Sequence, residues 1–199
     1  MKIVFATANK NKIIEIQQLI PGNIHVLGLP DINCTEEIPE TQSTIEGNAS
    51  QKAFYVYNNY GINCFADDTG LEVEALGGRP GVLSARYAGE NKNSDENMNK
   101  ILAEMQGIAN RKARFKTVIS LVIDGKETQF EGIINGTLLT EKQGTHGFGY
   151  DPIFAPGVLG LSPAGTQKSF AEMDLSEKNK ISHRALAVNK LVEYLNRIG

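Results

Sequence analysis

The chain has 199 residues, 41% of them hydrophobic and 22% charged, with a formal net charge of −3. These values fit a soluble globular protein and argue against a broad nucleic-acid footprint, which needs a basic surface. No apolar run approaches the roughly 20 residues that span a bilayer, and Cys34 and Cys64 lack ligand-type spacing, as expected of reduced thiols in a cytoplasmic protein.

Residues 2–6 form a short apolar run that predicts a buried first strand, not a signal peptide. Over 12–20, Ile13, Ile16, Leu19 and Ile20 recur at helical spacing, and Pro21-Gly22 stops the helix. Residues 24–29 predict a second strand. Ser43 and Glu46 have the capping-box spacing, so a helix is expected from 43 to 60, closed by Gly61. Residues 62–66 predict a third strand, ended by Asp67-Asp68-Thr69-Gly70. Ser94 is the expected cap of a helix with Met98, Ile101, Leu102 and Met105 on one face and Gly107 at its end. Residues 113–123 and 127–134 predict strands joined through Asp124-Gly125, a strong hairpin signal. Residues 176–198 read as one helix with apolar positions at 181, 185, 188, 192 and 195. The sum is an α/β fold: a mixed central sheet flanked by helices, in one domain over 1–199, with a smaller β lobe around 108–137 and a cleft between.

Several segments carry more polar chemistry than packing requires. Thr7-Ala8-Asn9-Lys10-Asn11-Lys12 follows a strand and opens a helix, where backbone N–H groups and two lysines suit a phosphate chain. Lys52 lies on or beside the inward face set by Ile45, Ala49, Ala53 and Val56, and a buried ammonium wants an anion, a carboxylate partner or a route to solvent. Asp67 and Asp68 point to opposite sides of a strand, so they need not share one task. One can hold Mg²⁺, which takes oxygen ligands and completes its shell with water and phosphate. In Gly144-Thr-His-Gly-Phe-Gly-Tyr-Asp151, three glycines permit close approach, Phe148 and Tyr150 offer faces to stack on, and Asp151 offers a carboxylate. Lys178, His183 and Arg184 sit at the start of the last helix, with His183 and Arg184 flanking its buried stripe. P-loop, dinucleotide, zinc and nucleophile-triad patterns do not occur.

Six blocks in order, ATANKNK, STIEGNASQKA, ADDTG, LGGRPGVLSARYAG, GTHGFGYDPIF and SEKNKISHRALA, resemble the inosine/xanthosine triphosphate pyrophosphatases across nearly the whole chain. The resemblance implies Mg²⁺-assisted hydrolysis of ITP, dITP or XTP to the monophosphate and pyrophosphate, by an elongated α/β homodimer. It implies that residues 7–12 and Lys52 grip the phosphates, that Glu40 and Asp68 hold the metal, and that Asp68 is the proton acceptor beside Thr69. Phe148, Gly149, Tyr150 and Asp151 then line the base and ribose pocket, completed by Lys178, His183 and Arg184. Four departures stand out: Ala8 and Gln42 replace common glycines, Gly47 replaces a frequent glutamate, and 157–165 looks inserted. A nucleotide sensor without catalysis would need no Glu40/Asp68 pair, and a pyrophosphatase for other modified nucleotides is the second enzyme reading.

Overall fold

The computed structural model describes residues 1–157 and 168–198. Of the expected insertion 157–165, all but Gly157 lies outside those residues. A mixed six-stranded sheet has the order β2-β1-β3-β4-β5-β6. Its strands are β1 (Lys2–Phe5), β2 (His25–Leu27), β3 (Cys64–Val73), β4 (Lys112–Ile123), β5 (Lys126–Leu138) and β6 (Phe154–Pro156). Strand β1 is parallel to β2 and β3, whereas β5 and β6 are antiparallel. The helices are α1 (Lys10–Leu19), α2 (Ile45–Tyr60), α3 (Ser94–Glu104), α4 (Leu175–Lys178) and α5 (His183–Ile198).

The chain divides into two compact units. The first comprises 1–68, 117–132 and 183–199, and the second 69–116 and 133–182. Residues 108–116 and 133–137 thus belong to the second unit, and 117–132 to the first.

In the first unit, the period-2 alternation of β1 serves two layers. Ile3 and Phe5 pack with Ile16 of α1, Phe65, Ile119, Leu121, and Val188 and Leu191 of α5. Val4 and Ala6 pack on the other face with Ala53 and Val56 of α2. Phe5 and Phe65 stack at 4.6 Å. A Cβ on Gly132 would stand 2.0 Å from the His183 carbonyl oxygen, so the start of α5 lies against the backbone of β5. The second unit has its own core, in which Leu71, Val73, Met98, Ile101 and Met105 surround Phe115, Phe154 and Phe170.

Local chemistry explains where the elements begin and end, and corrects several expectations. Helix α1 starts at Lys10, two residues early, because the Asn9 side chain accepts from the N–H groups of Asn11 and Lys12. Thr44, not Ser43, caps α2, its hydroxyl accepting from the Gly47 N–H at 3.0 Å. Asn93, not Ser94, caps α3 by accepting from Asp95 and Glu96. Asp124 (φ 49°) and Gly125 (φ 78°) form the predicted turn between β4 and β5. Strand β2 is shorter than expected. Strand β3 does not end before the acids but runs through Asp67-Asp68-Thr69-Gly70 to Val73. The expected single helix over 176–198 is two, α4 and α5. Ile181 packs in the second unit's core, whereas Ala187, Val188, Leu191 and Leu195 serve the first, so one straight stripe does not satisfy both.

Candidate active site

The first unit gathers three cations and four carboxylates from five segments. Lys12 of α1 reaches Asp67 of β3, with Nζ 2.9 Å from Oδ1. Arg184 at the start of α5 donates from Nε to the other oxygen of Asp67 at 3.3 Å and from Nη1 to Glu15 of α1. Lys52 of α2 donates to Glu40 and lies 3.6 Å from Asp68 Oδ1. The Asn48 amide donates to Asp68 Oδ2 at 3.4 Å. The alternation of β3 therefore turns Asp67 toward α1 and α5, and Asp68 toward α2. Arg184 is only 1% exposed and Asp67 is fully buried.

Burial alone would raise Asp67, but Lys12 and Arg184 outweigh it and hold the carboxyl well below the usual range. Burial raises Asp68, with Glu40 and Asp67 adding to it against the pull of Lys52 and Lys12. Two neighbouring acids thus have opposite titration behaviour, the arrangement that separates a permanent anion from a proton acceptor. Burial would lower Lys52, yet Asp68 and Glu40 reverse this and raise it. Burial lowers Lys12 despite Asp67, helped by Lys52 and Arg184.

Thr7 to Lys12 form the entry to α1. Ala8, Asn9, Lys10 and Asn11 are exposed, Thr7 and Lys12 half-buried, and the Thr7 hydroxyl accepts from the Asn9 N–H at 3.2 Å. The first turn of α1 holds no acidic residue, so its N–H groups face no competing carboxylate there. Thr69 follows Asp68, half-buried, in the second unit. His183, which precedes Arg184, is 3% exposed and belongs to the first unit.

The second unit contains the glycine-aromatic segment. Gly144, Gly147 and Gly149 have φ of 82°, 74° and 64°, conformations that favour glycine. A Cβ on Gly147 would stand 2.1 Å from Asp151 Oδ2. That oxygen accepts from the Phe148 N–H at 2.8 Å and from the buried Lys178 ammonium at 2.7 Å. Lys178 lies 5.0 Å from the Phe148 ring centre and 5.6 Å from that of Phe170. Phe148 is half-buried. Tyr150 is buried: its ring joins the core and its hydroxyl donates to the Ser84 carbonyl at 2.6 Å.

Three participants escaped the sequence reading: Glu15 and Asn48 altogether, and Asp67 as the partner of two cations. Glu15 stands three residues after Lys12 and beside buried Ile16, and Asn48 four residues before Lys52, so helical spacing carried a signal for both. Among the described residues no three His, Cys, Asp or Glu side chains converge as a ready metal cage. Glu40 and Asp68 nonetheless converge on one cationic position, that of the Lys52 ammonium, and two carboxylates fit an ion that takes its other ligands from water and phosphate.

The Ham1 family model matches residues 3–194. A dITP/XTP pyrophosphatase of Flavobacterium johnsoniae is 56% identical over 195 residues, 98% of each chain. One of Christiangramia forsetii is 55% identical over 197 residues, covering 99% of this chain and 100% of the relative. The solved structure of the Staphylococcus aureus Ham1 protein superposes with a TM-score of 0.87 at 38% identity, covering 100% of both chains.

Proposed function

The chain belongs to the Ham1 family, and from that membership we propose that it hydrolyses deaminated purine nucleoside triphosphates, dITP, XTP and ITP, to the monophosphate and pyrophosphate. The observation that carries this reading is the cluster of Lys12, Lys52 and Asp68 in the first unit, in a chain alike over its whole length to dITP/XTP pyrophosphatases.

The entry to α1, residues 7–12, and Lys52 receive the phosphates through ammonium charge and the positive end of α1. Asp68, raised above an ordinary carboxyl by burial, accepts a proton from the water that attacks the α-phosphorus, and pyrophosphate leaves with its charge met by lysines. Glu40 and Asp68 would hold Mg²⁺, which when bound neutralises phosphoryl charge and acidifies a bound water. Asp67 stays ionised and holds Lys12 in place. We assign the base and ribose to Thr69, Phe148, Gly149, Asp151 and Lys178 of the second unit, with Phe148 as the stacking surface and the core-packed Tyr150 supporting that segment. A donor aimed at a 6-oxo group is satisfied by hypoxanthine or xanthine and opposed by the amino group of adenine. A polar group buried without its partner costs about 1–3 kcal/mol, or roughly 5- to 150-fold in selectivity. We further propose a homodimer, as the resemblance implies, and a cytoplasmic location, from the two isolated cysteines. No helix among the described residues is long and apolar enough to cross a membrane.

The test is a product assay with dITP, XTP, ITP, ATP and GTP in Mg²⁺ buffer. Pyrophosphate is expected from the first three and little from ATP, which lacks the 6-oxo group, or from GTP, whose 2-amino group the opposite edge has to exclude; stepwise release of inorganic phosphate would overturn the assignment. Asp68→Asn is expected to lower kcat about 10²- to 10⁴-fold while nucleotide binding stays measurable by calorimetry.

A further inference from the structure

We propose that Asn48 is a positioning residue for this reaction: its amide ties the turn that carries Glu40 to the carboxylate of Asp68, and the fit of Gln42 over Gly47 keeps that tie in register. The inference rests on the roles given above to Glu40 and Asp68.

Asn48 is 2% exposed and both ends of its amide are used. Its Oδ1 accepts from the Gln42 N–H at 2.9 Å, and its Nδ2 donates to Asp68 Oδ2 at 3.4 Å. One turn further along α2, Gln51 grips the neighbouring residue: Oε1 accepts from the Thr41 N–H and Nε2 donates to the Thr41 hydroxyl, each at 2.9 Å. Two successive backbone N–H groups of the turn thus end on side chains of α2, just after Glu40. Glu40 then meets Lys52 from the same helix, and Lys52 also faces Asp68. The placement of the Glu40 carboxylate relative to Asp68 follows from α2, from which Asn48 bonds both the Gln42 N–H and Asp68.

The turn lies so close to α2 that position 47 has no room for a side chain. A Cβ there would stand 2.8 Å from Gln42 Cβ, 3.3 Å from its Cγ and 3.0 Å from the Thr44 hydroxyl. The nearest of these atoms is the root of the Gln42 side chain, which moves only with its backbone, so relief requires the turn to lift and the Gln42 N–H to leave Asn48. Gly47 has a helical backbone with no positive φ to explain it.

The test uses the full chain carrying Asn48→Leu, Asn48→Asp, and Gly47→Ala with and without Gln42→Gly. Amide hydrogen exchange at position 42, corrected for intrinsic rates, reports the turn, and steady-state hydrolysis of XTP reports the site. Asn48→Leu removes both bonds; protection at 42 and kcat are each expected to fall about tenfold, one hydrogen bond's worth, with KM nearly unchanged. Asn48→Asp keeps the acceptor for Gln42 but turns a second carboxylate on Asp68, so protection survives while kcat falls. A merely structural asparagine would not separate those readouts. Gly47→Ala is expected to lower both, and adding Gln42→Gly to restore both. The proposal is overturned if Asn48→Leu leaves kcat and protection intact, if Asn48→Asp loosens the turn as leucine does, or if Gly47→Ala is neutral beside Gln42. Should the leucine variant not fold, the Gly47/Gln42 pair decides alone. A wild-type chain that releases no pyrophosphate would sink the functional reading instead, and exchange would still judge the tie.

Discussion

Asp67 and Asp68 show how far one residue's environment departs from its neighbour's. Both are buried acids on one strand, yet the first is flanked by Lys12 and Arg184 and stays charged, while burial lifts the second. The type of each residue is plain in the sequence; its partner is not, because Arg184 and Asp67 lie 117 positions apart. Arg184→Met leaves the carboxylates of Glu15 and Asp67 buried without their guanidinium. Breaking a buried pair in this way costs about 3–5 kcal/mol, read as a lower urea midpoint. Loss of activity in that variant therefore has to be judged against its folded fraction. Cys64 makes a second residue-scale prediction. Burial pushes its thiol up to about 12, and Sγ lies 3.2 Å from the Ala53 carbonyl oxygen. The folded pKa exceeds the ordinary 9.0, so this group's share of stability is whole below pH 9.0 and is lost as pH climbs toward 12. With Cys34 also buried, a disulfide reagent is expected to label neither thiol quickly in the native chain and both in denaturant.

Elements were legible where periodicity ran long, and less so at their ends. The apolar spacing of α1, α2 and α3 located each helix, and Asp124-Gly125 located the hairpin. Caps were misplaced by one residue at α2 and α3, since Ser43-Thr44 and Asn93-Ser94 each offer two capable side chains and only backbone geometry selects one. Asn93→Ala is expected to lower stability by about 1 kcal/mol, and Ser94→Ala by a few tenths at most, compared by thermal melts. Strand β3 was cut short in the reading because Asp-Asp-Thr-Gly is good turn chemistry; in the fold, Lys12, Arg184 and Lys52 make both acids tolerable inside a strand. Gly132 has no signal in the sequence at all. With the His183 carbonyl 2.0 Å from any added Cβ, Gly132→Ala forces α5 away from β5 and is expected to destabilise by about 1–3 kcal/mol, as overpacking does.

Across the whole molecule, neither compact unit is a continuous piece of chain. The first is built from three segments, and α5 closes it with Ala187, Val188, Leu191 and Leu195. A chain ending at Ser182 is therefore expected to lose cooperative unfolding by circular dichroism; a sharp melt would show α5 to be dispensable. The sequence by itself determined the fold class, the order of most elements and the residue types of the charged cluster, because periodicity, turn chemistry and ordered motifs are local properties. Tertiary structure alone decided which carboxylate serves which cation, that Tyr150 belongs to a core, and that Asn48 joins two acid-bearing segments. Those outcomes depend on distances between residues remote along the chain, and desolvation and Coulomb forces act through space.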